Sequence, residues 1–199
     1  WTVDSAPWMR YWAYGITLAL SYYAYGITLV LIIPIINAPV LKFLKPTRGP
    51  FHSVHVLPWY VHNALLYVIR YTFLELITPT PLNIMFYRRM GMKIGKNVQI
   101  NSTHITDPGL ITMEDGVMIG GSATVIAHYG VNGLLILSPT ILRKNAMIGL
   151  RAIIMADVEI GEGAKILPNS VVLPKTRVPA GETWGGVPAK KIDLVAFYG

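Results

Sequence analysis

Hydrophobic and polar positions divide the chain into two unlike parts. The stretch YWAYGITLALSYYAYGITLVLIIPII, Tyr11 to Ile36, runs 26 residues without a charged side chain. At about 1.5 Å per residue it is long enough to cross a hydrocarbon core of about 30 Å. The pattern predicts one transmembrane helix whose end is bracketed by Pro34 and Pro39. It contains a near-duplicate, AYGITLAL at Ala13 and AYGITLVL at Ala24, offset by eleven residues. Eleven is close to three helical turns, so Gly15 and Gly26 share a side. This is either a chance likeness within an apolar helix or a smooth stripe against which another helix packs.

A second apolar stretch, Phe51 to Ile69, is divided by Pro58 and followed by Arg70 and Glu75. Were it to cross, Lys42, Lys45 and Arg48 would lie on the side opposite Arg88, Arg89, Lys93 and Lys96. Positive residues tend to collect in the cytoplasm, which favours a helix lying in the interface, with Trp59, Tyr60, Tyr67 and Tyr71 as headgroup-level anchors. His52, His55 and His62 read as interface residues and not as a metal set, because no carboxylate accompanies them.

A different periodicity governs the second half. Every sixth position from Ile136 is apolar: Ile136, Leu142, Ile148, Ile154, Ile160, Ile166, Val172, Val178 and Trp184. The positions four further on are Thr140, Ala146, Ala152, Val158, Ala164, Ser170, Thr176 and Glu182, nearly all small. An aliphatic residue pointing inward and a small one at a corner describe one flat side of a triangular coil, three sides to an 18-residue turn. The same beat appears upstream at Ile94 and Ile100, then at Met113, Ile119 and Val125. It slips twice, near Thr106 and at Val131, each time after a third side. Both slips therefore fall on one edge of the prism, one coil apart, where expelled loops can wall a cleft. Each carries a histidine, His104 in STHITDPG and His128 in VIAHYGVNG.

Composition narrows the chemistry. The chain is 53% hydrophobic and 14% charged, more apolar than an ordinary soluble domain. Cysteine is absent, which excludes disulfides, a thiolate nucleophile and Cys-ligated metal. The net charge of +7 is spread among apolar residues, so anionic lipid headgroups fit it better than nucleic acid. The chain opens on Trp1 and not Met, so further residues are expected upstream.

The units IGLRAI, IMADVE, IGEGAK and ILPNSV resemble the hexapeptide repeat of left-handed parallel β-helix proteins, chiefly acyltransferases, over Met92 to Ile192. PLNIMFYRRMGMKIGKNVQI is similar to the junction in membrane-tethered members, including the terminal domain of polylysine-type peptide synthetases. The resemblance implies an all-β left-handed parallel β-helix preceded by α-helical transmembrane or interfacial segments. The divisions are then 1–50 (transmembrane helix and basic loop), 51–91 (interfacial or second membrane helix and junction), 92–192 (the β-helix) and 193–199 (a tail).

It also implies a homotrimer and a coenzyme A or pantetheine thioester as acyl donor, with no metal. Transfer to a hydroxyl or amine would take place directly, helped by a loop histidine as general base. That role falls to His128 or His104, with Asp107 or Glu114 to orient the imidazole. Gly186, Val187, Pro188, Ala189 and Lys190 match the segment that borders the donor, where Lys190 and Lys191 would meet phosphates. The expected setting is the inner (cytoplasmic) membrane, with the coil in the cytoplasm, membrane lipid as partner and other membrane subunits as further candidates. Two rivals share the coil: a carbonic anhydrase holding zinc through three histidines, and a non-catalytic trimeric scaffold in a larger membrane complex.

Overall fold

The structure is a computed structural model, and it describes residues 7–193. The first element, α1 (Pro7–Leu41), is a 35-residue helix with Pro34 and Pro39 inside it. The expected stop at these prolines is therefore corrected. Pro34 forfeits a helix hydrogen bond, but it belongs to the stripe Gly26, Val30, Ile33, Pro34 and Asn37 that is buried, and that packing offsets the loss. Every residue of 7–25 is exposed. Among the described residues α1 is the one helix long and apolar enough to cross a membrane.

A short strand, β1 (Thr47–Pro50), follows in what the sequence suggested was a basic loop. The next helix, α2 (Leu57–Thr72), has 16 residues, fewer than the roughly 20 a crossing needs. It buries His62, Asn63, Leu66 and Ile69 and exposes Leu57, Tyr60, Val61, Tyr67, Val68 and Tyr71. His62 is thus no interface residue: it is fully buried, with Nδ1 2.9 Å from Asn37 Oδ1 of α1. The helix α3 (Pro81–Arg89) is capped by Thr80 and lies over the start of the coil, where Asn83 Nδ2 donates to the Ile100 carbonyl at 2.9 Å.

The coil begins with β2 (Lys93–Ile94), β3 (Gln99–Ile100), β4 (Ile111–Met113), β5 (Met118–Ile119) and β6 (Thr124–Val125). A hairpin of β7 (His128–Val131) and β8 (Leu134–Leu137) interrupts it. The rungs then continue as β9 (Thr140–Leu142), β10 (Met147–Ile148), β11 (Ile153–Ile154), β12 (Glu159–Ile160), β13 (Lys165–Ile166), β14 (Val171–Val172), β15 (Arg177–Val178), β16 (Thr183–Gly186) and β17 (Ala189–Lys191).

Three parallel stacks form the prism. The first face is β2, β4, β9, β12 and β15; the second is β3, β5, β10, β13 and β16; the third is β6, β11 and β14, extended by a bridge from Val125 to Ile105. Registered partners such as Ile148 and Ile166, or Ile154 and Val172, stand 18 residues apart. The side chains of Leu142, Ile148, Ile154, Ile160, Ile166, Val172 and Val178 fill the interior, all at most 3% exposed. Each rung buries its side chain only against its neighbours above and below, so the stack is stable as an array.

The register departs from 18 at two places. Ile100 pairs with Ile119 and Ile119 with Ile148, spacings of 19 and 29 residues. Both insertions lie where the third face turns into the first. The smaller is the turn Asp107 to Leu110, with Asp107 left-handed at φ 61°. The larger is the β7–β8 hairpin, closed by Asn132 (φ 48°) and Gly133 (φ 74°), the pair that a tight hairpin turn of this hand requires. Its strand β8 also pairs antiparallel with β1, Leu137 facing Thr47. Ile136, expected as the first rung of the resumed beat, instead lies half-buried in this hairpin, and the rungs resume at Leu142.

Candidate active site

The two insertions deliver one side chain each to the shared corner. His128 opens β7 and Asp107 forms the turn one coil earlier; His128 Nδ1 lies 2.5 Å from Asp107 Oδ2. Asp107 is fully buried, whereas the His128 side chain is 24% exposed, so the imidazole can meet a solute and the carboxylate cannot.

Asp107 is held on all sides. Its Oδ2 also accepts from the Ala127 N–H at 3.1 Å. Its Oδ1 accepts from Trp59 Nε1 at 2.7 Å and from Asn63 Nδ2 at 2.9 Å, both on α2. A carboxylate has about four lone-pair sites, and here four donors occupy them. Burial pushes the Asp107 carboxyl up, but the hydrogen bonds and charge of His128, with those of Asn63 and Ala127, outweigh it and leave the group below its ordinary range. In the neutral ring, an ionised Asp107 accepts the Nδ1–H of His128, which leaves the ring's lone pair on Nε2. The Trp59 ring stands edge-on to the imidazole, with centroids 5.0 Å apart.

The other expected site residues fall elsewhere. His104 lies on the third face before the corner turns; its side chain is exposed, and its backbone carbonyl accepts from the Val125 N–H at 3.1 Å. Glu114 sits on the first face, bound to Arg143 at 2.8 Å, and has no contact with the dyad. Gly186, Val187, Pro188, Ala189 and Lys190 form a hairpin in which β17 runs antiparallel to β16 and closes the last rung. Lys190 and Lys191 are both exposed there, and Lys191 is paired with Glu182 at 2.7 Å. Among the described residues no three His, Asp or Glu side chains come together as a metal set.

Two members of the corner escaped the sequence reading. Trp59 was assigned to the interface and Asn63 to nothing. The signal was their spacing of four on a helix, which puts both on one face. For the hairpin it was Asn132-Gly133 between two apolar runs.

No protein-family model matches the chain. It is 38% identical over 104 residues to serine acetyltransferase of Buchnera aphidicola, covering 52% of this chain and 36% of that one. It is 32% identical over 120 residues to delta-poly-L-ornithine synthetase of Acinetobacter baumannii, covering 60% of this chain and 9% of the synthetase. The fold is similar to that of a hexapeptide-repeat acetyltransferase of Vibrio cholerae solved with acetyl coenzyme A, with a TM-score of 0.56 and 18% identity over 76% of this chain and 95% of that one. The coil of this chain is thus similar in sequence to acyltransferases and in fold to the hexapeptide-repeat acetyltransferases. The chain spans little more than a third, or less, of the relatives just named by sequence. The coil accounts for residues from Lys93 onward, whereas α1 and α2 are built in front of it.

Proposed function

We propose that this chain transfers an acyl group from a coenzyme A or pantetheine thioester to a hydroxyl or amine, with His128 as the general base. The observation that carries the reading is the 2.5 Å contact between His128 Nδ1 and Asp107 Oδ2. As the acceptor oxygen or nitrogen bonds to the thioester carbonyl carbon, its proton passes to Nε2 of His128. Collapse of the tetrahedral intermediate breaks the C–S bond, and the departing thiolate takes that proton from the imidazolium. Asp107 stays ionised and fixes the tautomer.

The proposed coil is left-handed and assembles as a homotrimer. The donor would lie along a groove bordered by the Gly186 to Lys190 hairpin, with Lys190 facing its phosphates. Within one chain this hairpin closes the second face at the far end of the stack, while the dyad occupies the opposite edge near the start. A site using both is therefore completed by a neighbouring subunit.

The proposed anchor is α1, whose exposed 7–25 segment includes Trp8, Tyr11, Trp12, Ile16, Leu18 and Leu20. Covering such a surface with lipid removes apolar area from water, and the exposed apolar side of α2 would lie along the membrane surface. The coil is then expected on the cytoplasmic side of the inner membrane, where acyl thioesters are available.

The test is thiol release from acetyl coenzyme A with amine and sugar acceptors, comparing the wild type with His128→Ala. Loss of turnover with the assembly intact supports the enzyme. Absence of turnover in the wild type with every donor, together with membrane subunits that co-purify, would point to a structural platform instead.

A further inference from the structure

The dyad is not self-sufficient within the coil. Of the four donors on Asp107, only Ala127 N–H and His128 Nδ1 belong to the coil; both partners of Oδ1 come from α2. An Oδ1 without them would be a buried acceptor with no partner, costing about 1–3 kcal/mol, and the carboxylate would be free to turn. The coil alone therefore supplies partners for only one of the two carboxylate oxygens.

The two donors are themselves fixed. Asn63 Nδ2 also donates to the Trp59 carbonyl at 3.1 Å, which ties the pair together across one helical turn. The neighbouring His62 meets Asn37 of α1, so the segment of α2 that reaches the dyad is clasped by the apolar helix behind it. Arg70, two turns further along α2, donates to the Ile105 carbonyl on the coil beside the corner. The helix thus crosses the corner and is pinned on both sides of it.

We infer that Trp59 and Asn63 are positioning residues for acyl transfer, so that α2 is a working part of the site and the base is correctly set only while the α1–α2 pair is seated on the coil. This rests on the acyl-transfer reading above. The Trp59 indole N–H and the Asn63 amide hold the Asp107 carboxylate plane, the carboxylate holds Nδ1–H, and Nε2 is left free to take the proton.

The experiment uses the full chain in detergent micelles with two variants that keep shape and remove only a donor, Trp59→Phe and Asn63→Leu. Phenylalanine preserves the aromatic edge against His128. Two readouts are taken: kcat and KM for acetyl coenzyme A, and the His128 tautomer from 15N shifts of histidine-labelled protein, assigned by the signal lost in His128→Gln. The expected result is a kcat about tenfold lower for each variant and about a hundredfold lower for the pair, with KM unchanged. The His128 signal should move from the Nδ1–H tautomer toward Nε2–H. A merely structural role would leave the tautomer where it is.

An unchanged tautomer together with an unchanged kcat overturns the inference. If His128→Ala retains full turnover, the assignment of His128 as the general base fails by itself. The tautomer measurement then still decides whether α2 sets the imidazole.

Discussion

Asp107 and His128 are separated by 21 positions in the chain and meet at 2.5 Å because each is carried by an insertion at the same corner of consecutive coils. The turn that presents Asp107 places it at φ 61°, a conformation that Asn shares at little cost. Asp107→Asn therefore tests the carboxylate with the backbone undisturbed. An amide nitrogen in place of Oδ2 would face two donors, Ala127 N–H and His128 Nδ1–H, and would favour the wrong tautomer. Turnover should fall on the order of 10³-fold, with a stability loss of about 1–3 kcal/mol. Steady-state kinetics and chemical denaturation measure the two separately.

His62 predicts how stability depends on pH. Burial, offset in part by the negative charge of Asp107, lowers its pKa to about 4. The unfolded chain takes up this proton near pH 6.5, the native one only near 4, so between those values the unfolded state binds more protons. Stability should fall as pH is lowered across that window, by about 3 kcal/mol in all. Below about pH 3.9 the lowered pKa of Asp107 adds a further loss in the same direction. Denaturant unfolding from pH 7 to 4 should show the first slope in the wild type and a much flatter line in His62→Leu.

The two copies of the AYGITL motif make a matched pair. A Cβ on Gly26 would come within 2.1 Å of the Phe73 ring, whereas one on Gly15 meets nothing. The second copy of the suspected smooth stripe is thus filled by an aromatic ring of the same chain. Gly26→Ala should loosen α1 from α2 and cost about 1–3 kcal/mol, and Gly15→Ala should be neutral or slightly stabilising. Thermal unfolding of the two variants side by side is the check.

Ile154 and Ile136 were equivalent in the six-residue beat and differ in the fold. Ile154 is 0% exposed and lies between Val125 and Val172, while Ile136 is half-buried in the hairpin. Ile154→Ala should cost about 2–5 kcal/mol and Ile136→Ala clearly less. Denaturation midpoints at constant slope would show the difference.

The contrast between these two isoleucines shows what the sequence could reveal. The rungs were legible because their interior side chains repeat at a fixed interval and their corners must be small. The common edge of the two slips followed from counting sides, since a triangular turn leaves no other place for them. The shape of the larger insertion did not follow, although Asn132-Gly133 carried the turn signal, because the beat drew Ile136 into the rungs. His104 and His128 both stand near a slip, and His104 falls four after Ile100, where a small residue is usual. Only the path of the backbone sets His104 on a flat side, before the corner, and His128 just beyond it.

The role of α2 was the least legible part. Its aromatic residues suit a membrane interface equally well, and Tyr60, Tyr67 and Tyr71 are indeed exposed. That Trp59 turns inward to a carboxylate 48 positions away depends on how the helix docks, which no local pattern records.

Past the second coil the rungs keep an unbroken eighteen-residue register, and β17 seals the bottom. One turn removed or duplicated in that region would shift Lys190 relative to His128 by about 4.8 Å and leave both ends closed. On the proposed reading the lower storeys act as a ruler, and their number would fix how far a donor gripped at the base must reach to bring its acyl carbon to the imidazole.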